Sequence, residues 1–273
     1  MDLSIIILHY GTPKDVTKNL AALNEAILPK ETEVIVVNNG RSGANNEIEK
    51  PKGSKFVIKF FEIENEGYPQ GCNFGALKSS GKNLAFLSPD IEINKETFKV
   101  LVDHISSHPK CGICAPRLRF PNGKIQDNFR VFPCPADLII KRTFLRAFFA
   151  GRMHKYLMWN KDPQKTEQVD WLTGAFQVFT REAWDKVGPN DGRYFLFMSD
   201  VDICRMAWGC GFTVDFIGET EARHNETRLS AGGIMDLFRK KVVRIHILDA
   251  VKYYFKYFGA CLPKDCPSMR SRL

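Results

Sequence analysis

Asp90-Ile-Glu92 sets two carboxylates two residues apart, directly after the apolar run Asn83-Leu-Ala-Phe-Leu87. In extended backbone, side chains two apart lean to one side, and paired hard oxygens suit Mg²⁺ or Mn²⁺. The same acids would serve as solvated turn residues. Ser199-Asp-Val-Asp-Ile-Cys-Arg205 opens a helix-like segment with Asp200 and Asp202, where an acid can cap the helix, complement its positive end, or take a proton from a hydroxyl. His224 follows a strand-like run and the acids Glu219 and Glu221, and reads as a surface polar group or a third cation ligand. Glu64 to Asn73 is a glycine-bearing turn that opens a helix, so its free N–H groups favour a nearby anion, or its glycines serve only the turn.

Such groups need a scaffold that brings distant segments to one place. Leu3 to His9 reads as a buried strand closed by Gly11 and Pro13, with a helix starting at Pro13. Further strands are expected at Glu33–Asn38, Lys55–Glu62, Asn83–Leu87 and Cys111–Pro116, with a helix over roughly Lys95 to His108. Residues 129–159 break this rhythm, and Val169 to Thr180, Arg181 to Val187 and Ser199 to Gly211 resume it. Short strands apolar on both faces, alternating with helices, predict an α/β fold with a mostly parallel central sheet flanked by helices. Ligands bind beyond the carboxyl ends of such strands. His9–Thr12, Asn38–Gly40, Asn65–Gly71 and Ser88–Glu92 are therefore expected to meet in one cleft.

The chain has 273 residues, 44% hydrophobic and 26% charged, which excludes disorder as its main state. Leu3 to Leu8 is far shorter than the roughly 20 apolar residues that span a bilayer, and no secretion signal is read at Met1, so a cytoplasmic location is expected. The net charge of +8 is local. Residues 138–159 carry five cations and no acid, and residues 236–273 carry nine cations against three acids. Two patches of this kind point to an anionic surface, with no nucleic acid as partner. Phe144, Phe148, Phe149, Met153 and Trp159 lie among the first cations; Arg239-Lys-Lys241 and the aromatics Tyr253 to Phe258 mark the second. Cations beside aromatics suit an anionic bilayer interface, although the stripe Leu248, Val251, Phe255 and Phe258 would equally serve a core or an oligomer contact. The expected division is a main domain over residues 1–230 and a basic, aromatic helical extension over 231–273. Cys111-Gly-Ile-Cys114 is read as reduced strand cysteines, because a zinc site calls for a second cysteine pair or a histidine pair at ligand spacing. GxGxxG is absent, which argues against hydride transfer on a dinucleotide.

In order along the chain, Ser4-Ile-Ile-Ile-Leu-His-Tyr10, Val36-Val-Asn-Asn-Gly40, Asn65-Glu-Gly-Tyr-Pro-Gln-Gly-Cys-Asn73, Leu87-Ser-Pro-Asp90, Trp171-Leu-Thr-Gly-Ala-Phe176 and Ser199-Asp-Val-Asp-Ile-Cys-Arg205 resemble family-2 glycosyltransferases of the rhamnosyltransferase-like type. The resemblance covers roughly residues 3 to 226. It implies a GT-A fold, a nucleotide-diphosphate-sugar donor, a divalent cation (Mg²⁺ or Mn²⁺) and inversion at the anomeric carbon. It also implies that Thr12, Asn38, Asn65, Gly71 and Asn73 surround the donor, with Asp90 at its ribose or metal-bound diphosphate. Glu92 would be the second acid of a DxD-like motif and His224 the late histidine of the metal site. Asp200 would be the catalytic base, with Trp171, Thr173 and Gly174 on the sugar and acceptor side. Three positions depart from the family pattern: Asn38 and Glu92 stand where Asp is common, and Ser199 where an acid precedes the base.

The implied activity moves a hexosyl or deoxyhexosyl group, rhamnosyl among them, to a hydroxyl of a cell-surface glycan or lipid-linked precursor, with peripheral contact at the inner face of the membrane. One alternative is a sugar nucleotidyltransferase, which needs a basic phosphate-activating loop where Gly11-Thr-Pro-Lys14 offers one lysine. The other is a noncatalytic nucleotide- or glycan-binding protein with the same fold.

Overall fold

Strand β1 (Leu3–His9) is buried along its whole length, and a strand apolar on both faces needs a layer of helices on each. The computed structural model, which describes residues 1–225 and 241–270, supplies both layers. β2 (Thr32–Asn38), β3 (Val57–Glu62) and β4 (Asn83–Leu87) run parallel to β1 in the order β3-β2-β1-β4. β5 (Ile91–Ile93), β6 (Cys111–Arg119), β7 (Phe129–Arg130), β8 (Glu167–Gln168), β9 (Trp171–Leu172), β10 (Phe176–Thr180) and β11 (Thr213–His224) complete the strands described. β10 lies antiparallel between β4 and β6, β11 is parallel to β6, and β5 closes the far edge antiparallel to β11. β7 and β9 form a separate two-stranded ribbon.

β6 runs three residues past its expected end at Pro116. Proline removes a ladder donor, and the β11 register shifts between Ile217 and Glu221, opposite Pro116 and Arg117. The irregularity absorbs the missing N–H and lets pairing resume.

Alternation along β1 and β2 divides the core. Ile5, Ile7, Val34 and Val36 face α1 (Pro13–Glu25), while Ile6, Leu8, Ile35 and Val37 face α2 (Tyr68–Leu77) on the other side. α3 (Thr97–Ser107) joins the first layer through Phe98, Leu101 and Ile105. The segment that breaks the strand–helix rhythm holds three short helices, α4 (Pro135–Arg142), α5 (Leu145–Phe148) and α6 (Ala150–Tyr156). α7 (Arg181–Val187), α8 (Ser199–Gly209) and α9 (Lys241–Lys256) complete the second layer. α9 sends Ala250 and Tyr253 into the core shared with α8, and Lys256 Nζ lies 2.7 Å from Asp202 Oδ2 and 2.8 Å from Asp191 Oδ2. The stripe Leu248, Val251, Phe255 and Phe258 is exposed, Phe258 to 88%, so it is no part of the core. The expected boundary near residue 230, with Arg239 and Lys240 of the basic stretch, lies outside the described residues.

Glu33 on β2 is fully buried. Burial alone would raise its pKa, but Lys59 Nζ at 2.7 Å and donors from Ser4 and Ser80 outweigh it and hold the carboxyl at about 2. A depressed carboxyl stabilises the fold above its unfolded pKa, and the contribution is lost as pH falls from about 4.5 through about 2. Glu33→Gln is expected to cost about 3 kcal/mol at neutral pH and to flatten that acid dependence, as read from urea unfolding at a series of pH values.

Candidate active site

The β4–β10 register sets Leu87 opposite Phe176, and Ser88 N–H donates to the Ala175 carbonyl at 2.8 Å. Asp90, leaving β4, and Gly174, entering β10, therefore share the carboxyl mouth of the sheet. β11 ends at the same mouth, with His224 opposite Ile91 of β5. That pairing brings His224 Nε2 to 2.8 Å from Asp90 Oδ2.

The contact is close but not an in-line hydrogen bond: Oδ2 is buried and has no hydrogen-bond partner among the described residues. On the other side of the ring, His224 Nδ1 lies 3.0 Å from Gln126 Oε1. With Gln126 Oε1 accepting at Nδ1, the Nε2 of a neutral His224 and the Asp90 carboxylate can both turn lone pairs toward one cation, and a carboxylate oxygen beside an imidazole nitrogen is a donor pair that fits a divalent ion.

Glu92 behaves differently. Its Oε1 accepts from Asn225 Nδ2 at 2.6 Å, and its Oε2 lies 3.9 Å from the Arg223 guanidinium. Among the described residues the structure does not gather it with Asp90 and His224. The expected shared side requires both acids in extended backbone, but Asp90 sits in the turn before β5 while Glu92 is within that strand.

Asp200 stands in the first turn of α8. Its Oδ2 accepts from Gly174 N at 3.1 Å and its Oδ1 from Val201 N at 2.9 Å; Tyr68 donates its hydroxyl to the Gly174 carbonyl at 2.7 Å. Burial pushes the Asp200 carboxyl above the ordinary aspartate range, opposed by those two N–H donors and by the charge of Arg130. The Tyr68 hydroxyl is raised in turn by burial, by Cys72, and by the charges of Asp200 and Asp90. Asp200 is hydrogen-bonded to Gly174, and Ser88, two residues before Asp90, to the adjacent Ala175, so the two acids stand at the same end of the β4–β10 pair. Asp202 points away, to Lys256 and to Tyr194 Oη at 3.3 Å. Neither acid caps α8, whose cap position is Met198 in the left-handed region.

The remaining predicted residues ring this mouth or brace it. Thr12 follows β1 with its Oγ1 buried and unpartnered among the described residues. Asn38 is taken up within its own turn, donating to the Arg41 carbonyl at 2.8 Å and accepting from Gly40 N at 3.0 Å. Asn65 Oδ1 accepts from Gly67 N at 3.1 Å. Gly67 has φ +102°, and a Cβ there would collide with the Phe195 carbonyl oxygen. Gly71 lets α2 lie directly on Leu8. Asn73 exchanges two hydrogen bonds of 2.8 Å with the Asn190 backbone. Trp171 donates to the Val131 carbonyl at 2.9 Å, and Thr173 N donates to the Asn128 carbonyl at 2.9 Å.

Two further residues carry no local sequence signature. Arg130 is buried, with its guanidinium 4.9 Å from the Trp171 ring, and only the β7–β9 pairing puts it near Asp200. Asp249 of α9 accepts from the N–H groups of Phe195, Leu196 and Phe197 at 2.9–3.2 Å, holding the loop that leads into Met198 and α8. A single acid on the buried side of an otherwise amphipathic helix is the trace it leaves in the sequence. Asp249→Ala strands three backbone donors and is expected to cost about 3 kcal/mol in unfolding free energy and to lower turnover through a displaced Asp200. Thermal unfolding and kcat measured on the same sample check this.

Residues 4–186 match the family described as Glycosyl transferase family 2. The chain belongs to this family. A Mycobacterium tuberculosis (strain ATCC 25618 / H37Rv) N-acetylglucosaminyl-diphospho-decaprenol L-rhamnosyltransferase is 26% identical over 152 residues, 51% of this chain and 45% of the relative. The Haloferax volcanii low-salt glycan biosynthesis hexosyltransferase Agl10 is 24% identical over 230 residues, 82% of this chain and 67% of the relative. Among solved structures, the Pyrobaculum calidifontis mannosyltransferase PcManGT with GDP-Man and Mn²⁺ aligns with a TM-score of 0.64 at 13% identity, covering 99% of this chain and 68% of that one. S. aureus TarS 1–349 with UDP-GlcNAc aligns at 0.57 and 18% identity, covering 93% and 67%. The family-2 chain therefore has the GT-A fold, and it spans less than half the length of the mycobacterial relative.

Proposed function

We propose that this family-2 chain is an inverting glycosyltransferase that moves a hexosyl or deoxyhexosyl group from a nucleotide-diphosphate sugar to a hydroxyl of a lipid-linked saccharide. The observation that carries the reading is the unpartnered Asp90 Oδ2 facing His224 Nε2 at the end of the β4–β10 pair where Gly174 N–H holds Asp200. A divalent cation held by Asp90 and His224 would supply positive charge to the departing diphosphate. The chain's own groups do the rest. Tyr10, 68% exposed beyond β1, offers a face for the nucleobase, and two residues on Thr12 Oγ1 is a buried polar atom without a partner among the described residues. Asp200 accepts the acceptor hydroxyl proton as that oxygen bonds to the anomeric carbon and the bond to the diphosphate oxygen breaks on the opposite face. One displacement inverts the centre. Gly174 N–H and the Tyr68 hydrogen bond fix the carboxylate for that transfer.

The mycobacterial relative's name gives a rhamnosyl group and a lipid diphosphate, which supports a deoxyhexosyl donor and a lipid-linked acceptor here. A panel of UDP-, GDP- and dTDP-sugars with Mn²⁺ and Mg²⁺, read by nucleoside diphosphate release, tests the activity. Cation-dependent release from one donor is expected; binding without release would make the chain a noncatalytic sugar-nucleotide binder, and pyrophosphate exchange would make it a nucleotidyltransferase.

We infer that the chain works at a membrane surface. No helix among the described residues is long and apolar enough to cross a bilayer. Phe144 and Phe148 of the α4–α6 segment, Phe255 of α9 and Phe258 just after it are all more than three-quarters exposed, in stretches rich in Lys and Arg. The two regions are joined where Tyr254 donates to the Pro133 carbonyl. Cosedimentation with vesicles rich in anionic lipid is expected, reduced about tenfold or more by joint Phe→Ser changes at 144, 148, 255 and 258. Equal recovery with anionic and neutral vesicles contradicts this surface role.

A further inference from the structure

At the end of the sheet opposite the cleft, three side chains from three elements turn their ligand atoms toward one another. They are His104 of α3, Cys111 at the start of β6 and Asp215 of β11, with all three atoms within 4.8 Å of each other. His104 Nε2 lies 2.9 Å from Asp215 Oδ2. Asp215 is 5% exposed, and its other oxygen, Oδ1, is buried without a hydrogen-bond partner among the described residues. Cys111 is 1% exposed, with its thiol 3.5 Å from the Ile113 carbonyl and in contact with His104 and Cys114. His108, one turn after His104, stacks on its ring with centroids 4.1 Å apart and lies 2.9 Å through Nδ1 from the His104 carbonyl, which holds the ligand face in place. Sequence spacing reads Cys111 as a plain strand cysteine. The short connection from α3 into β6 returns His104 to it, and the parallel β6–β11 pairing brings Asp215 from a hundred residues away.

Imidazole nitrogen, thiol sulfur and carboxylate oxygen together suit zinc, whereas Mg²⁺ and Mn²⁺ favour oxygen. This donor set therefore differs in class from the Asp90–His224 pair. We propose that His104, Cys111 and Asp215 form a second metal site, at the amino end of the sheet, that takes zinc or a cation of similar softness. The site clamps α3 onto the starts of β6 and β11. Binding sends two protons to solvent, the Cys111 thiol proton and the one His104 Nε2 holds against Asp215, and leaves a fourth position for water.

The test is Co²⁺ titration of the full chain after removal of metals with a chelator, followed by absorption. The expected result is a sulfur-to-cobalt charge-transfer band with tetrahedral visible bands saturating at one equivalent. Stoichiometric Zn²⁺ displaces the spectrum and raises Tm, and excess Mg²⁺ leaves it unchanged. Cys111→Ser removes the charge-transfer band, and Asp215→Asn weakens Co²⁺ binding at least tenfold while keeping the band. Absence of a thiolate band in the wild-type chain overturns the proposal and leaves a His104–Asp215 ion pair. Survival of the band in Cys111→Ser overturns it by assigning the metal to another cysteine. Should Cys111→Ser fail to fold, the wild-type spectrum and Asp215→Asn still decide.

Discussion

Asp200→Asn is expected to lower kcat about 10²–10⁴-fold while leaving donor affinity within about threefold, because one group that takes a proton in the transition state contributes that much. Asparagine keeps an oxygen for the Gly174 N–H at the same position but cannot accept the acceptor's proton. The sign of the accompanying stability change separates chemistry from misfolding. Burial raises the carboxyl's pKa in the fold, so its ionised form at neutral pH opposes folding, and removing that charge raises Tm. The same shift fixes the acid limb of kcat/KM. A base must be deprotonated, so activity falls with pH at values above those of a free aspartate, which titrates near ~4. A wild-type profile flat through that range, or an Asp200→Asn enzyme with full turnover, removes Asp200 from the base role.

Asp90→Asn and His224→Ala are each expected to lower kcat/KM by about 10²–10³-fold and to raise the cation concentration needed for half-maximal rate. The reason is the unpartnered oxygen facing a ring nitrogen whose other side is already tied to Gln126. Glu92→Gln makes the contrast. Its carboxylate is half exposed and engaged by Asn225, so the change is expected to cost under about threefold. Initial rates at a series of Mn²⁺ concentrations measure all three. Equal sensitivity of Glu92→Gln and Asp90→Asn would place the cation on the strand rather than between turn and histidine.

β1, β2 and β4 were legible in the sequence because each is a short apolar run bounded by turn-forming residues and too brief for a helix. β1 and β4 carry the expected bounds, and Asp90 and Asp200 stand at a strand end and a helix start that such patterns mark. Local spacing failed where position depends on pairing partners. Asp90 and Glu92 are two apart, yet Asp90 lies in the turn before β5 and Glu92 within the strand, where it meets Asn225. Asn38 and Asn73, which the family resemblance sets around the donor, have their amides engaged by backbone here, an engagement no pattern of residue types reveals. Arg130 reaches Asp200's surroundings through β7–β9, and Asp249 reaches the α8 loop from the far end of the chain. His104 and Asp215 meet Cys111 only because α3, β6 and β11 pack at one edge. Contacts of this long range are set by topology, and a single sequence shows them only as isolated polar residues in apolar surroundings.

Catalysis as proposed needs one cleft in which Asp90 and His224 bind the cation that accompanies the donor diphosphate while Asp200 remains free for the acceptor. Electron paramagnetic resonance of Mn²⁺ added to the metal-depleted chain with nucleoside diphosphate measures that directly. Wild type and Asp200→Asn should bind Mn²⁺ alike in the presence of the diphosphate, and Asp90→Asn should not. Undiminished Mn²⁺ binding by Asp90→Asn, or its loss in a folded Asp200→Asn, would contradict the assignment.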